Sequence, residues 1–139
     1  PCVGFRIEEA GGGAMAYASD LGTLTAAVHE NLSGCDLVAL EANYDLQRLR
    51  YGPYPGYLKV RIESRRGHLD NRECAAKVAE LAAAGCQKFS LLHLSQENNA
   101  PELALEAVAD AFRATGFTPA PALTVQAQER NAVSRAMEF

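Results

Sequence analysis

Apolar and polar residues alternate from the start of the chain. Val3, Phe5 and Ile7 interleave with Gly4, Arg6 and Glu8, the period-two pattern of a half-buried strand. Gly11-Gly12-Gly13 then supplies the turn of a hairpin, with Ala14 to Ala18 as the return strand. A glycine run can also cradle phosphate, but no Lys-Ser or Lys-Thr follows this one, so the hairpin is preferred. Thr23 is the expected N-cap of a helix through Asn31, with Gly34 as its stop. Leu37 to Glu41 is a short buried strand. Leu46, Leu49 and Arg50 space a short helix over Asp45 to Tyr51, ended by Gly52-Pro53, and Tyr57 to Ile62 reads as another. Asp70 followed by Glu73 predicts a capping box that opens a helix to Ala84, stopped by Gly85. Phe89 to His93 is a buried strand. Pro101 opens a helix to Thr115 with Leu103, Ala107, Val108, Ala111 and Phe112 on one face, and Gly116 closes it. Ala122 to Gln126 is the last strand; the tail from Arg130 is assigned no element. The order β, β, α, β, α, α, α, β, α, β predicts an α/β layer with helices over one sheet face. What covers the second face is left open.

The 139 residues fit one domain. No stretch approaches the ~20 apolar residues that span a bilayer, and no leader pattern precedes a cleavage site, so a cytoplasmic protein without a membrane partner is expected. Cys2, Cys35, Cys74 and Cys86 form no C-x-x-C pair and read as reduced, mostly buried thiols. The net charge of −4 gives no general attraction to nucleic acid, yet six of the thirteen basic residues lie between Arg48 and Arg66 against one acid, Glu63. That stretch reads either as a solvated helix face or as a local phosphate-binding face. The chain opens at Pro1 in an alternating run, which suggests a truncated or engineered piece, or the second half of a larger fold.

Three polar signatures stand at the ends of apolar runs: Ser19-Asp20-Leu21-Gly22, Gly67-His68-Leu69-Asp70-Asn71, and His93-Leu94-Ser95-Gln96-Glu97-Asn98-Asn99. Loops at strand ends project side chains into a common crevice. Asp20 can bridge two divalent ions through its two oxygens, or serve as a turn former. His93 can ligate a metal, or be a hydrogen-bonded structural histidine. His68 precedes a helix cap, a position suited to a phosphate oxygen or to protonating a leaving group.

With Tyr17-Ala18-Ser19-Asp20-Leu21-Gly22, Glu41-Ala42-Asn43-Tyr44-Asp45, Gly52-Pro53-Tyr54-Pro55 and Leu58-Lys59-Val60-Arg61-Ile62, these signatures resemble, in order, the metallo-β-lactamase fold, most closely its YycJ/WalJ-type branch of metallo-hydrolases. The resemblance implies half of an αββα sandwich, one mixed sheet covered by helices on one face. It makes Asp20 the bridging aspartate and His93 the last histidine ligand of a dinuclear zinc site. Glu41 is then the carboxylate that orients a histidine. His68 matches the histidine that related tRNA-processing nucleases place near the scissile phosphate. Lys59, Arg61, Arg65 and Arg66 would hold the phosphodiester. Asp70 stands where the family's Gly-His-Leu-Ser-Asn has serine, a mild change because both residues cap helices. The family's His-x-His-x-Asp-His cluster belongs to the half of the fold before Pro1 and is absent here.

The resemblance therefore implies the C-terminal portion of a nuclease-like hydrolase acting on nucleic acid, inactive or nearly so without the N-terminal half. An exposed sheet face would drive self-association, with a dimer replacing the missing sheet. The alternatives are a non-catalytic binding or assembly domain carrying relic metal residues, and an unrelated small α/β regulator with structural histidines.

Overall fold

The computed structural model describes residues 4–139; Val3 of the first predicted strand and Cys2 lie outside the described residues. β1 (Gly4–Glu8) and β2 (Ala14–Ala18) form the predicted antiparallel hairpin, in register from Gly4 opposite Ala18 to Glu8 opposite Ala14. β3 (Leu37–Glu41), β4 (Lys88–Leu92) and β5 (Thr124–Ala127) continue the sheet in parallel, in the order β1-β2-β3-β4-β5. α1 (Ala26–Leu32) joins β2 to β3. α2 (Leu46–Tyr51), α3 (Gly56–Ile62) and α4 (Asn71–Ala83) lie between β3 and β4, and α5 (Pro101–Thr115) precedes β5. This is the predicted element order on one mixed sheet, the arrangement expected of half an αββα sandwich.

Side-chain alternation sorts the strands into two faces. Ala14, Ala16 and Ala18, with Val38, Leu40, Phe89 and Leu91, pack under α1, α4 and α5 against Leu32, Cys74, Val78, Val108 and Phe112. On the other face Leu37, Ala39 and Leu92 are buried beneath Met15 and Met137. Met137 belongs to the tail, whose path is fixed where Lys88 Nζ donates to the Glu138 carbonyl at 2.7 Å and Gln126 Nε2 to that of Arg135 at 3.1 Å. The C-terminal segment thus covers the middle of the second face. Toward its edge the face is bare: Phe5 and Ile7, opposite Tyr17 and Met15, stay 60% and 50% exposed.

Several boundaries differ from expectation for local reasons. Thr25, not Thr23, caps α1 by accepting from the Val28 N–H, which leaves Leu24 to pack on the core. β4 ends at Leu92 because His93 turns into the left-handed region, and β5 starts at Thr124, after a turn in which Leu123 N–H reaches the Ala120 carbonyl. Gly116 closes α5 at φ 69°, as predicted. Cys35, Cys74 and Cys86 are free and buried, and burial holds their thiol pKa values above the ordinary one, to about 11 for Cys86. No helix among the described residues is long and apolar enough to cross a membrane.

Asp70 forms its half of the predicted box, its Oδ1 accepting from the Arg72 and Glu73 N–H groups at 2.8 Å each. Asp70→Ala leaves two donors without a partner at the start of α4, the helix with the most buried residues. It is expected to cost about 1–2 kcal/mol, a fall of roughly 5 °C in the thermal midpoint, whereas Asp70→Ser keeps most of the cap. A melt followed by circular dichroism checks both variants.

Candidate metal centre

Because β2, β3 and β4 run parallel, their carboxyl ends share one edge, and the residues that leave them converge there. Asp20 follows β2, Glu41 ends β3 and His93 follows β4. The turn after α3 adds His68. Asp20 and His93 are the two non-glycine residues with positive φ among those described, at 56° and 57°. A left-handed residue ends the strand and swings its side chain out of the sheet's alternation.

Glu41 sits at the centre, fully buried. Its Oε1 lies 2.8 Å from Nδ1 of both His68 and His93. Its Oε2 accepts the Leu21 N–H at 2.6 Å and the Leu69 N–H at 3.4 Å. One carboxylate therefore fastens the loop that carries Asp20, the loop that carries His68, and both imidazoles. Asp20 Oδ1 lies 3.7 Å from each Nδ1, and the two rings meet edge-on with centroids 5.1 Å apart. Ligand atoms of all four residues lie within 4.8 Å of one another. The hydrogen bond to Glu41, aided by the Glu41 and Asp20 charges, raises the His68 pKa above the ordinary histidine value against the opposing effects of burial and Arg61.

A layer of asparagines ties these loops together. Asn43 donates from its backbone N–H to the Leu69 carbonyl, accepts the Ser95 N–H on its own carbonyl, and donates from Nδ2 to the His93 carbonyl at 2.7 Å. Beneath it the Asn71 and Asn99 amides pair reciprocally at 2.9 and 2.8 Å. Asn43, Asn71 and Asn99 stand within motifs at the ends of apolar runs, where no local pattern assigns them a role. Their clustering after apolar strands was the available signal.

Beside the cluster lies an open crevice of about 820 Å³, walled by Asp20 and His68 on one side and Tyr54, Leu58, Arg61 and Arg66 on the other. The four basic residues expected to hold substrate divide. Arg61 and Arg66 line the crevice. Arg65 is exposed and does not line it. Lys59 turns away, its Nζ donating to the carbonyls of Arg50 and Gly52 at 2.8 Å each, where it closes the end of α2.

The four converging residues fall inside one family match: the family described as "Beta-lactamase superfamily domain" matches residues 1–94. The chain belongs to that superfamily. Within the superfamily it resembles the exodeoxyribonuclease YycJ of Bacillus anthracis, 32% identical over 103 residues, which is 74% of this chain and 39% of the relative. It also resembles the exodeoxyribonuclease WalJ of Streptococcus pneumoniae serotype 2 (strain D39 / NCTC 7466), 42% identical over 88 residues, 63% of this chain and 30% of the relative. The chain thus spans between 30% and 39% of the length of these curated relatives.

Membership in the superfamily implies metal ions, and the donor chemistry fits one. With each Nδ1 given to Glu41, the free ring nitrogen of each histidine is Nε2, the arrangement in which a carboxylate fixes the tautomer of a ligating imidazole. Asp20, its side chain 60% exposed, offers hard oxygens at the crevice. Glu41 has its Oε1 shared by the two histidines and its Oε2 taken by backbone donors.

Proposed function

We propose that this chain forms the metal- and phosphate-holding side of a dinuclear zinc phosphodiesterase of the nuclease type. Asp20 and His93 would hold metal, which when bound supplies Lewis-acid polarisation of a phosphoryl oxygen. Glu41 holds both rings in place. His68, backed by Glu41, gives a proton from Nε2 to the departing oxygen. Arg61 and Arg66 bind and orient the phosphate across the crevice. The observation that carries this reading is the buried Glu41 oxygen shared by two imidazoles beside Asp20. Support for the nucleic-acid substrate comes from the names of the relatives, exodeoxyribonucleases in both cases.

Two or three protein ligands leave an ion mostly water-coordinated, so the 139-residue chain binds zinc weakly and is nearly inactive on its own. The bare edge of the second sheet face, at Phe5, Ile7 and Tyr17, supports self-association of the chain.

Titration with zinc, followed by calorimetry, tests the reading. Asp20→Ala and His93→Ala are each expected to weaken binding by more than about tenfold while the circular-dichroism spectrum stays native. Wild-type affinity in both variants is the behaviour of a binding domain with relic residues, and would overturn the proposal.

A further inference from the structure

The α2–α3 segment carries rings and charges that the fold does not use. Tyr51 and Tyr57 are 85% and 78% exposed, and Val60, one turn from Tyr57 on α3, is 71% exposed. Large rings in water on a rigid helix contribute little to the fold and mark a contact surface when they cluster. Lys59, from α3, ties the two helices together by closing the end of α2 through the Arg50 and Gly52 carbonyls. Tyr54, between the two exposed tyrosines in sequence, lines the crevice.

The cations on this segment sort by their partners. Arg48 is bonded to the Asn99 carbonyl, Arg50 to Glu63, and Lys59 to α2. The guanidinium groups of Arg61, Arg65 and Arg66 make no hydrogen bond among the described residues, and Glu63, the acid of this stretch, is already paired with Arg50. Uncommitted positive charge therefore borders the same surface as the exposed rings, on a chain whose net charge is −4.

We propose that α2–α3 is a landing platform for an unpaired nucleic-acid strand that runs out of the crevice. Arg61 and Arg66 hold its phosphates, and successive bases stack on Tyr54 and Tyr57, with Tyr51 extending the path. Exposed rings beside uncommitted cations suit a single strand, whose bases have free faces; in a duplex those faces are already stacked. A protein partner would need a carboxylate matched to each arginine, whereas a strand brings a phosphate with every nucleotide. The proposal rests on the phosphodiesterase reading only in taking the crevice as the phosphate end of the path.

Binding is measured on the full 139-residue chain in EDTA, by fluorescence anisotropy of a labelled oligothymidylate of roughly 12 nucleotides. Tyr57→Ala and Tyr54→Ala are each expected to weaken binding about tenfold with an unchanged salt slope, while Tyr57→Phe binds as wild type. Arg61→Ala is expected to lower the salt slope by about one. An abasic strand of the same length should bind weakly and be indifferent to Tyr57→Ala. Wild-type affinity in both tyrosine-to-alanine variants overturns the platform, as does tighter binding of a blunt duplex than of the single strand. Loss of self-association in Tyr57→Ala, seen by sedimentation with strand binding intact, assigns the surface to a protein and also overturns it. The zinc titration separates the two proposals. Zinc binding that needs Asp20 and His93, with no tyrosine effect on the strand, removes the platform alone; the converse removes the phosphodiesterase reading alone.

Discussion

Glu41→Ala is expected to lower the unfolding free energy by about 3–5 kcal/mol, because it strands two imidazole donors and two backbone donors around a buried vacancy. Four groups depend on this side chain: Nδ1 of His68, Nδ1 of His93, and the N–H groups of Leu21 and Leu69. Glu41→Gln does not restore the wild-type set: with its carbonyl toward the Leu21 and Leu69 N–H groups, its NH₂ meets both Nδ1 atoms and forces both rings to carry their proton on Nε2, the nitrogen otherwise free for a ligand. It should lose about 1–3 kcal/mol. Denaturant titration of the metal-free chain reads both variants, and an unchanged midpoint refutes the role given to Glu41.

The pH dependence follows from the direction of the His68 shift. Its folded-state pKa is raised, chiefly by the hydrogen bond to Glu41. The group then contributes stability that is fully present below the ordinary histidine pKa of about 6.5 and is lost as pH rises through the higher folded value. Wild type minus Glu41→Gln should therefore be larger at low pH than at high pH across that window. Nuclear magnetic resonance titration of the His68 ring should show its pKa falling in the variant.

Gly67→Ala should be nearly as costly and for a purely steric reason. A methyl group on Gly67 would collide with the carbonyl oxygens of Ile62 and Arg61 at the end of α3. Those oxygens cannot retreat freely, because the Ile62 carbonyl already accepts the His68 N–H at 3.0 Å and the Arg61 carbonyl the Ser64 N–H at 3.2 Å. The expected loss is about 3 kcal/mol, or roughly 10 °C in thermal midpoint. The relief of the clash should displace His68 from Glu41. Retention of both the wild-type melt and the shifted His68 titration would show that the turn relaxes without cost.

Much of the fold was legible because local chemistry and long-range packing agree. The run Leu37 to Glu41 is apolar enough to be central, Asp70 with Glu73 marks a helix start, and Pro101 and Gly116 bracket α5. Asp20, Glu41 and His93, three of the residues that converge, were legible as residue types standing at strand ends. What the sequence does not encode locally is which atoms meet. Lys59 looked like a substrate cation but lies within reach of the Arg50 and Gly52 carbonyls, a contact set by how α3 folds back on α2. Asn43 follows β3 with no local pattern that assigns it a role, and its partners lie 26, 50 and 52 positions away at Leu69, His93 and Ser95. The tail has no periodicity to read, because its place on the second sheet face depends on Met137 and on backbone carbonyls that any residue supplies. The true cap of α1 was missed because Thr23 and Thr25 are both good cap residues, and only the burial of Leu24 decides between them.

The left-handed backbone at Asp20 and His93 has an energetic consequence. Each such residue is less comfortable there than glycine, by roughly 1–2 kcal/mol. Of the two, only His93 recovers part of that cost, through its hydrogen bond to the buried Glu41. Asp20 accepts no hydrogen bond among the described residues, so Asp20→Gly should raise the melting temperature while His93→Gly should not.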